Sequence, residues 1–308
     1  MEAQPPVIRA FGDAGVAEAA ALIRAGGIVA VPTETVYGLA ADARDAQAVA
    51  RIYAAKGRPS FNPLIVHVAD LAAAEAIAVF DDDARALATR FWPGPLTLVL
   101  PLRGDAGIAS LVTAWLDTIA VRVPAHRAMR AVLAAAGAPL AAPSANASNG
   151  ISPTRASHVA ASLGARVPLI LDDGATAAGV ESTIVGGRTI LRPGPVTAEM
   201  LSTVLPVASG QTAHVSAPGQ LATHYAPAKP LRLEAVEAAG DEWLIGFGMV
   251  AGDDTLSASG DVVEAAACLF DALHRADASP ATRIAVAAVP ERGVGVAIND
   301  RLRRAAHR

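Results

Sequence analysis

Short β-prone runs alternating with helical periodicity constrain this 308-residue chain more than any other feature. Residues 27–31, 64–68, 96–100, 119–123, 169–171 and 183–185 have the length and apolar content of strands. Between them, residues 16–25, 46–55, 82–91, 126–136 and 155–163 repeat small and apolar side chains at helical spacing. Such a chain buries its apolar faces as mixed α/β layers. With 53% hydrophobic but only 4% aromatic residues, it favours close-packed helices on a sheet over aromatic-rich binding surfaces.

The length exceeds one typical domain. Residues 206–230 lose clear periodicity and are punctuated by Pro206, Gly210, Pro218, Gly219, Pro227 and Pro230, as a connector would be. Beyond it a strand-like stretch (242–247), a helix (261–276), a second strand (284–289) and a final helix (294–306) suggest a smaller, Rossmann-like α/β layer. The expected organisation is therefore a first domain over 1–205, a connector over 206–230 and a second domain over 231–308.

Several function classes lose ground at once. A net charge of -4 and a pI near 6.0 give no global attraction to nucleic acid, although a local basic groove stays open. A single cysteine, Cys268, excludes an intrachain disulfide and sits in an apolar helical pattern suited to a small buried hydrophobe. There is no signal-like start and no apolar run of about 18 residues free of Pro and charge, so the expectation is a cytoplasmic protein without a membrane segment. G-x-x-x-x-G-K-[ST], H-E-x-x-H, paired-cysteine and G-x-S-x-G patterns are absent, and no metal ligand is assigned. Gly293-Val294-Gly295 lacks the third glycine of a dinucleotide loop.

The chemistry-bearing residues gather in loops that follow strands, where α/β proteins place ligands. Only two of the 25 basic residues are lysines, Lys56 and Lys229. Lys56-Gly57-Arg58-Pro59 ends a helical stretch and reads either as an anion site or as a basic last turn complementing the helix dipole. Pro32-Thr33-Glu34-Thr35-Val36-Tyr37-Gly38 packs short polar side chains into a strand exit, with turn capping by Thr33 or Thr35 as the plainer account. The segment from Ala142 through Ser144, Asn146 and Ser152 to Thr154 offers the hydroxyls, amides and N–H groups a nucleotide needs; alternatively it is a Ser/Asn turn with Thr154 as helix cap. Arg122 lies on an apolar strand and needs a partner, either a ligand carboxylate or an internal Asp or Glu. His67, within another strand, reads by itself as a satisfied core histidine.

Taken together, Pro32 to Leu39, Lys56-Gly57-Arg58-Pro59 with Asn62-Pro63-Leu64, Pro93-Gly94-Pro95-Leu96-Thr97, Ser144-Ala145-Asn146, Glu181-Ser182-Thr183 and Leu191-Arg192-Pro193-Gly194 resemble the threonylcarbamoyl-adenylate synthase family, in the family's order over about 190 residues. Ala217 to Pro227, containing His224 and Tyr225, resembles the connector motif of its two-domain form. The resemblance implies a YrdC-like first domain, a twisted mixed sheet with a concave, positively lined cavity. It implies synthesis of threonylcarbamoyl-adenylate from L-threonine, bicarbonate and ATP, with Mg²⁺ on the ATP phosphates and release of pyrophosphate, for modification of adenosine 37 in ANN-decoding tRNAs. By motif position it places Lys56, Arg58, Asn62, Thr118, Ser144, Asn146, Ser152 and Arg192 on the ATP side, with Lys56 and Arg58 catalytic. Thr35, His67, Arg122, Ala142 and Ser182 surround threonine, and His224 and Tyr225 close over the triphosphate. A tRNA-modifying transferase partner and weak RNA binding are consistent with that role.

Two rival classes are a non-catalytic double-stranded-RNA-binding module of the same fold, which the acidic pI disfavours, and a carbamoyl-transfer domain of the hydrogenase-maturation type. The single cysteine leaves no room for the zinc modules expected of the latter.

Overall fold

Chain order and side-chain periodicity place one mixed sheet at the centre of the first domain in the computed structural model, which describes residues 5–210 and 224–307. Its strands are β1 (Val7–Ala10), β2 (Val29–Pro32), β3 (Tyr37–Asp42), β4 (Ile65–His67), β5 (Leu96–Pro101), β6 (Thr118–Arg122), β7 (Leu140–Ala141), β8 (Leu169–Asp172), β9 (Thr183–Gly186), β10 (Thr189–Arg192) and β11 (Ala208–Ser209). They lie in the order β1-β8-β2-β3-β7-β4-β6-β5-β9-β10-β11. The edge strand β11 falls inside the segment expected as connector, where it pairs in parallel with β10.

Helices α1 (Asp13–Arg24), α2 (Ala46–Lys56), α3 (Leu71–Glu75), α4 (Asp82–Phe91), α5 (Ser110–Thr113), α6 (Arg127–Ala136), α7 (Ala156–Leu163) and α8 (Ala198–Ser202) complete the domain. Two of them aim the site. The Asp45 side chain accepts the N–H groups of Gln47 and Ala48, a cap worth about 1 kcal/mol that fixes the start of α2. That helix then delivers Lys56 and, just past its C-cap Gly57, Arg58. Helix α7 starts without a side-chain cap: Arg155 is its N-cap residue, and the Thr154 hydroxyl lies 3.4 Å from His158 Nδ1. Thr154 is thus not the cap its position suggested, because the loop turns one residue later.

The alternation along β4 and β6 shows how one sheet serves two purposes. Val66 and Val121 point into the main core under the helices, whereas Ile65 and Ala120 form a small apolar cluster with Ile184 and Leu191 on the other side. The register pairs Ile65 with Ala120 and His67 with Arg122. Both polar side chains therefore project from the same face, at the carboxyl ends of adjacent parallel strands.

The second domain has four parallel strands, β12 (Leu231–Arg232), β13 (Glu242–Gly246), β14 (Asp254–Thr255) and β15 (Arg283–Val286), in the order β12-β15-β13-β14. Helices α9 (Val262–Ala278) and α10 (Gly295–Ala306) pack on it. Its core is not closed on itself: Val36, Ile151, Val180 and Tyr225 join the cluster of Phe247, Leu269, Phe270, Leu273 and Ile298. The two domains are packed through a shared apolar seam beside the site.

Candidate functional site

A cavity opens on the sheet face that carries His67 and Arg122. Thr33, Thr35, Val36, Arg58, Arg122, Ala142, Ser144, Glu181, Ser182, Arg192, His224 and Tyr225 are among its lining residues, contributed by both ends of the first domain and by the returning connector. Ten of the fifteen expected site residues are on this wall: Thr35, Arg58, His67, Arg122, Ala142, Ser144, Ser182, Arg192, His224 and Tyr225.

Four of the other five lie just behind it. Lys56 is 3% exposed, not a surface charge at a helix end, and its ammonium donates to the carbonyls of Ser144 at 2.6 Å and Asn146 at 2.5 Å. Asn62 is buried, and its carbonyl accepts from Arg58 Nε at 3.1 Å. Asn146 spans its own loop, donating to the carbonyls of Ala147 and Gly150. Ser152 donates its hydroxyl to Glu181. Thr118 stands apart, at the start of β6, four residues and so about 13 Å from Arg122 at the other end.

The first loop caps its own turn and also lines the cavity. The Thr33 hydroxyl accepts the N–H groups of Thr35 and Val36 and donates to the Val36 carbonyl at 2.7 Å, capping the turn. That turn leaves Thr35 Oγ1 2.9 Å from Arg122 Nη1. Arg122 also finds an internal acid: Nη2 donates to Glu34 Oε1 at 2.6 Å and Nε to the Gly94 carbonyl at 3.1 Å. Burial opposes the charge on Glu34, yet the Arg122 guanidinium and backbone N–H groups hold its carboxyl below the usual range. Arg122 thus lines the cavity already oriented, held through all three of its nitrogens.

Glycine is required at two of these contacts. A Cβ on Gly94 would lie 2.3 Å from the Phe91 carbonyl, and one on Gly194 would lie 2.4 Å from the Thr183 N–H. The first bend aims the carbonyl that holds Arg122. The second lets the Arg192 loop press against residues 181–183, where Arg192 Nε and Nη2 donate to the Ser182 carbonyl at 3.0 and 2.9 Å.

The electrostatics are those of a cation-lined chamber. Burial, then the charges of Arg58 and Arg166, pull the Lys56 ammonium well below its ordinary pKa. Burial lowers Arg58 to about 10, which leaves it charged at neutral pH. His67 is pushed to about 3 by burial and then by Arg122, so its imidazole is neutral. His224 is lowered by burial and by Arg58, Lys56, Arg192 and Arg301 together. Like charges crowded this closely are costly unless an anion joins them.

The polar atoms point the same way. Among the described residues, buried side-chain atoms without a hydrogen-bond partner include Asn62 Oδ1, His67 Nδ1, Asn146 Oδ1, His224 Nδ1 and Tyr225 Oη, of residues that line this chamber or stand just behind it. Buried polar atoms with hydrogen-bonding capacity to spare suit a wall that meets a polar ligand. Tyr225 holds a left-handed φ of 65°, packs edge-on to His224 and stacks near Phe270 of α9. Three participants escaped the sequence reading: Glu34 and Glu181, quoted only as motif letters, and Arg301 of α10. Arg301 carried a signal, since it falls on the helical stripe of Ile298, Leu302 and Ala305, a charge on an otherwise apolar face.

Comparisons with known proteins match both domains of the chain. The Sua5/YciO/YrdC family model, described as "Telomere recombination", matches residues 21–194, and one described as "Threonylcarbamoyl-AMP synthase, C-terminal domain" matches residues 196–307. A threonylcarbamoyl-AMP synthase of Bacillus subtilis is 41% identical, covering 96% of this chain and 93% of its own length. One from Pyrococcus abyssi is 39% identical over 93% of this chain and 92% of its own. The crystal structure of P. abyssi Sua5 complexed with L-threonine superposes with a TM-score of 0.89 at 37% identity, covering 97% of both chains.

Proposed function

The chain belongs to the threonylcarbamoyl-AMP synthase family and makes threonylcarbamoyl-AMP, and we propose that it does so as a nucleotidyltransferase that joins L-threonine, bicarbonate and the adenylyl group of ATP with release of pyrophosphate. The observation that carries this reading is the convergence of Arg58, Arg122 and Arg192 with neutral His67 on one cavity. Its positive groups complement a threonine carboxylate, bicarbonate and the phosphates of a nucleotide.

The chemistry divides along the wall. Arg122, held by Glu34 and Gly94, presents its planar fork to the threonine carboxylate, with Thr35, Ala142 and Ser182 around the rest of the amino acid. Neutral His67 offers Nδ1 as a hydrogen-bond partner without adding charge beside the amine. The free amine attacks carbon dioxide formed as bicarbonate sheds hydroxide, and the amine proton joins that hydroxide as water, leaving a carbamate. A carbamate oxygen then attacks the α-phosphorus as the bond to pyrophosphate breaks. Arg58 and Arg192, with Lys56 behind them, stabilise the charge gathering on the leaving group. Holding three reactants in line contributes roughly 7–11 kcal/mol of barrier lowering. No protein nucleophile is needed.

His224 and Tyr225 close the chamber and exclude water from a labile mixed anhydride. Mg²⁺ would be carried on the phosphates of ATP, where it would offset their charge beside Arg58 and Arg192. The product is passed to the enzyme that threonylcarbamoylates adenosine 37 of ANN-decoding tRNAs.

Mass spectrometry of the products formed from ATP, bicarbonate and each of threonine, serine, valine and allo-threonine tests reaction and substrate together. Threonylcarbamoyl-AMP formed in preference to the other adducts supports the reading. RNA binding without ATP consumption would instead favour the non-catalytic alternative.

A further inference from the structure

Arg301 is wholly buried, and it comes from the second domain. Its Nε donates to Glu181 Oε2 at 3.0 Å, Nη2 to the Glu181 carbonyl at 3.4 Å, and Nη1 to the Pro193 carbonyl at 2.6 Å and to Asp300 at 3.1 Å. Its guanidinium carbon lies 5.5 Å from the centre of the Tyr225 ring. Glu181, itself on the cavity wall, uses its other carboxylate oxygen to accept the Ser152 hydroxyl. From the adjacent helix, His274 Nε2 lies 3.2 Å from the Ser152 carbonyl.

We propose that Arg301 is a positioning residue for the reaction, setting Ser152 through Glu181 and seating Tyr225 from behind, so that the second domain completes the nucleotide side of the site. The inference rests on the function proposed above. Domain docking alone does not call for this residue, because the surrounding stripe of Ile298, Leu302 and Ala305 is aliphatic and a desolvated guanidinium docks no better than an apolar side chain of its size. What the guanidinium adds is direction. One planar group reaches the carboxylate that holds Ser152, the carbonyl beside Arg192 and the face of Tyr225, three parts of one wall.

Steady-state pyrophosphate release by the full chain, with the KM for ATP and for threonine measured separately, tests this in wild type, Arg301→Met, Arg301→Lys, Ser152→Ala and Arg301→Met/Ser152→Ala. The expected result is an ATP KM raised about ten-fold or more in Arg301→Met, while the threonine KM stays within about two-fold. Arg301→Lys recovers part of the loss, since it keeps the charge on Glu181 but not the planar contacts. Ser152→Ala adds less than about two-fold in the Arg301→Met background, because the hydroxyl there has already lost its fixed partner. A purely structural residue would lower melting temperature and kcat, leaving both KM values at wild type and the Ser152→Ala effect undiminished, and that result overturns the proposal. If Arg301→Met does not fold, Arg301→Lys decides on the same ATP-against-threonine split. A wild type that makes no threonylcarbamoyl-AMP contradicts the functional reading itself, whereas an active wild type with unaltered variants contradicts the role of Arg301 alone.

Discussion

The Lys56 ammonium lies 2.6 Å from the carbonyl oxygen of Ser144 and ties the end of α2 to the loop that forms one cavity wall. Lys56 thus acts twice, as a buried positive charge behind the phosphate side and as the clamp on residues 144–146. Replacing it with Ala is expected to reduce turnover roughly 10²-fold or more, the scale of a lost electrostatic donor. It also leaves two carbonyls without their donor, which lowers stability by about 1–3 kcal/mol. Turnover assays paired with urea unfolding check both parts, and wild-type rates would contradict them.

The Arg122–Glu34 pair supplies a second test. Arg122→Gln strands a carboxylate that is largely shielded from water, and the expected loss is about 3 kcal/mol together with a raised threonine KM. The double variant Arg122→Gln/Glu34→Gln is expected to regain much of the stability but none of the threonine affinity. Denaturant midpoints and threonine titration separate the two effects.

Gly94 sets the aim of Arg122 from a distance. Gly94→Ala places a methyl group 2.3 Å from the Phe91 carbonyl and shifts the backbone whose oxygen holds Arg122 Nε. Destabilisation of about 1–3 kcal/mol is expected from the forced backbone movement, with threonine KM raised more than ATP KM. A variant with both constants unchanged would show that the bend does not orient the arginine.

Burial of neutral His67 gives the fold a sign of pH dependence. Its folded pKa of about 3 lies below the ordinary histidine value, so the unfolded chain takes up a proton that the native state refuses. Stability from this group is complete above about pH 6.5 and is lost as the pH falls toward 3. Between pH 8 and 4.5 the expected loss is about 2–3 kcal/mol. His67→Gln should flatten that part of the stability profile, measured by urea unfolding at each pH. An unchanged slope would place the acid sensitivity elsewhere, His158, lowered to about 4, being the next group to examine.

The longer elements were legible because their periodicity is strong: α4, predicted over 82–91, spans Asp82–Phe91, and α9 and α10 lie close to their expected limits. Strand β3 was missed although it is central, because Tyr37-Gly38-Leu39-Ala40-Ala41 has little intrinsic β preference and is held by β2 and β7 on either side. The two-residue strands β12 and β14 carry too few residues for any pattern. In the site, the motif residues were readable as types, whereas Arg301 meets Glu181 only through the docking of two domains 120 positions apart. Residues 217–223 of the connector motif lie outside the described residues.

Pyrophosphate release by the purified chain, followed with ATP present and with threonine and bicarbonate added singly and together, tests the shared cation-lined chamber most directly. Release that requires all three reactants is predicted. Release that is independent of threonine, or no release with all three present, would contradict it.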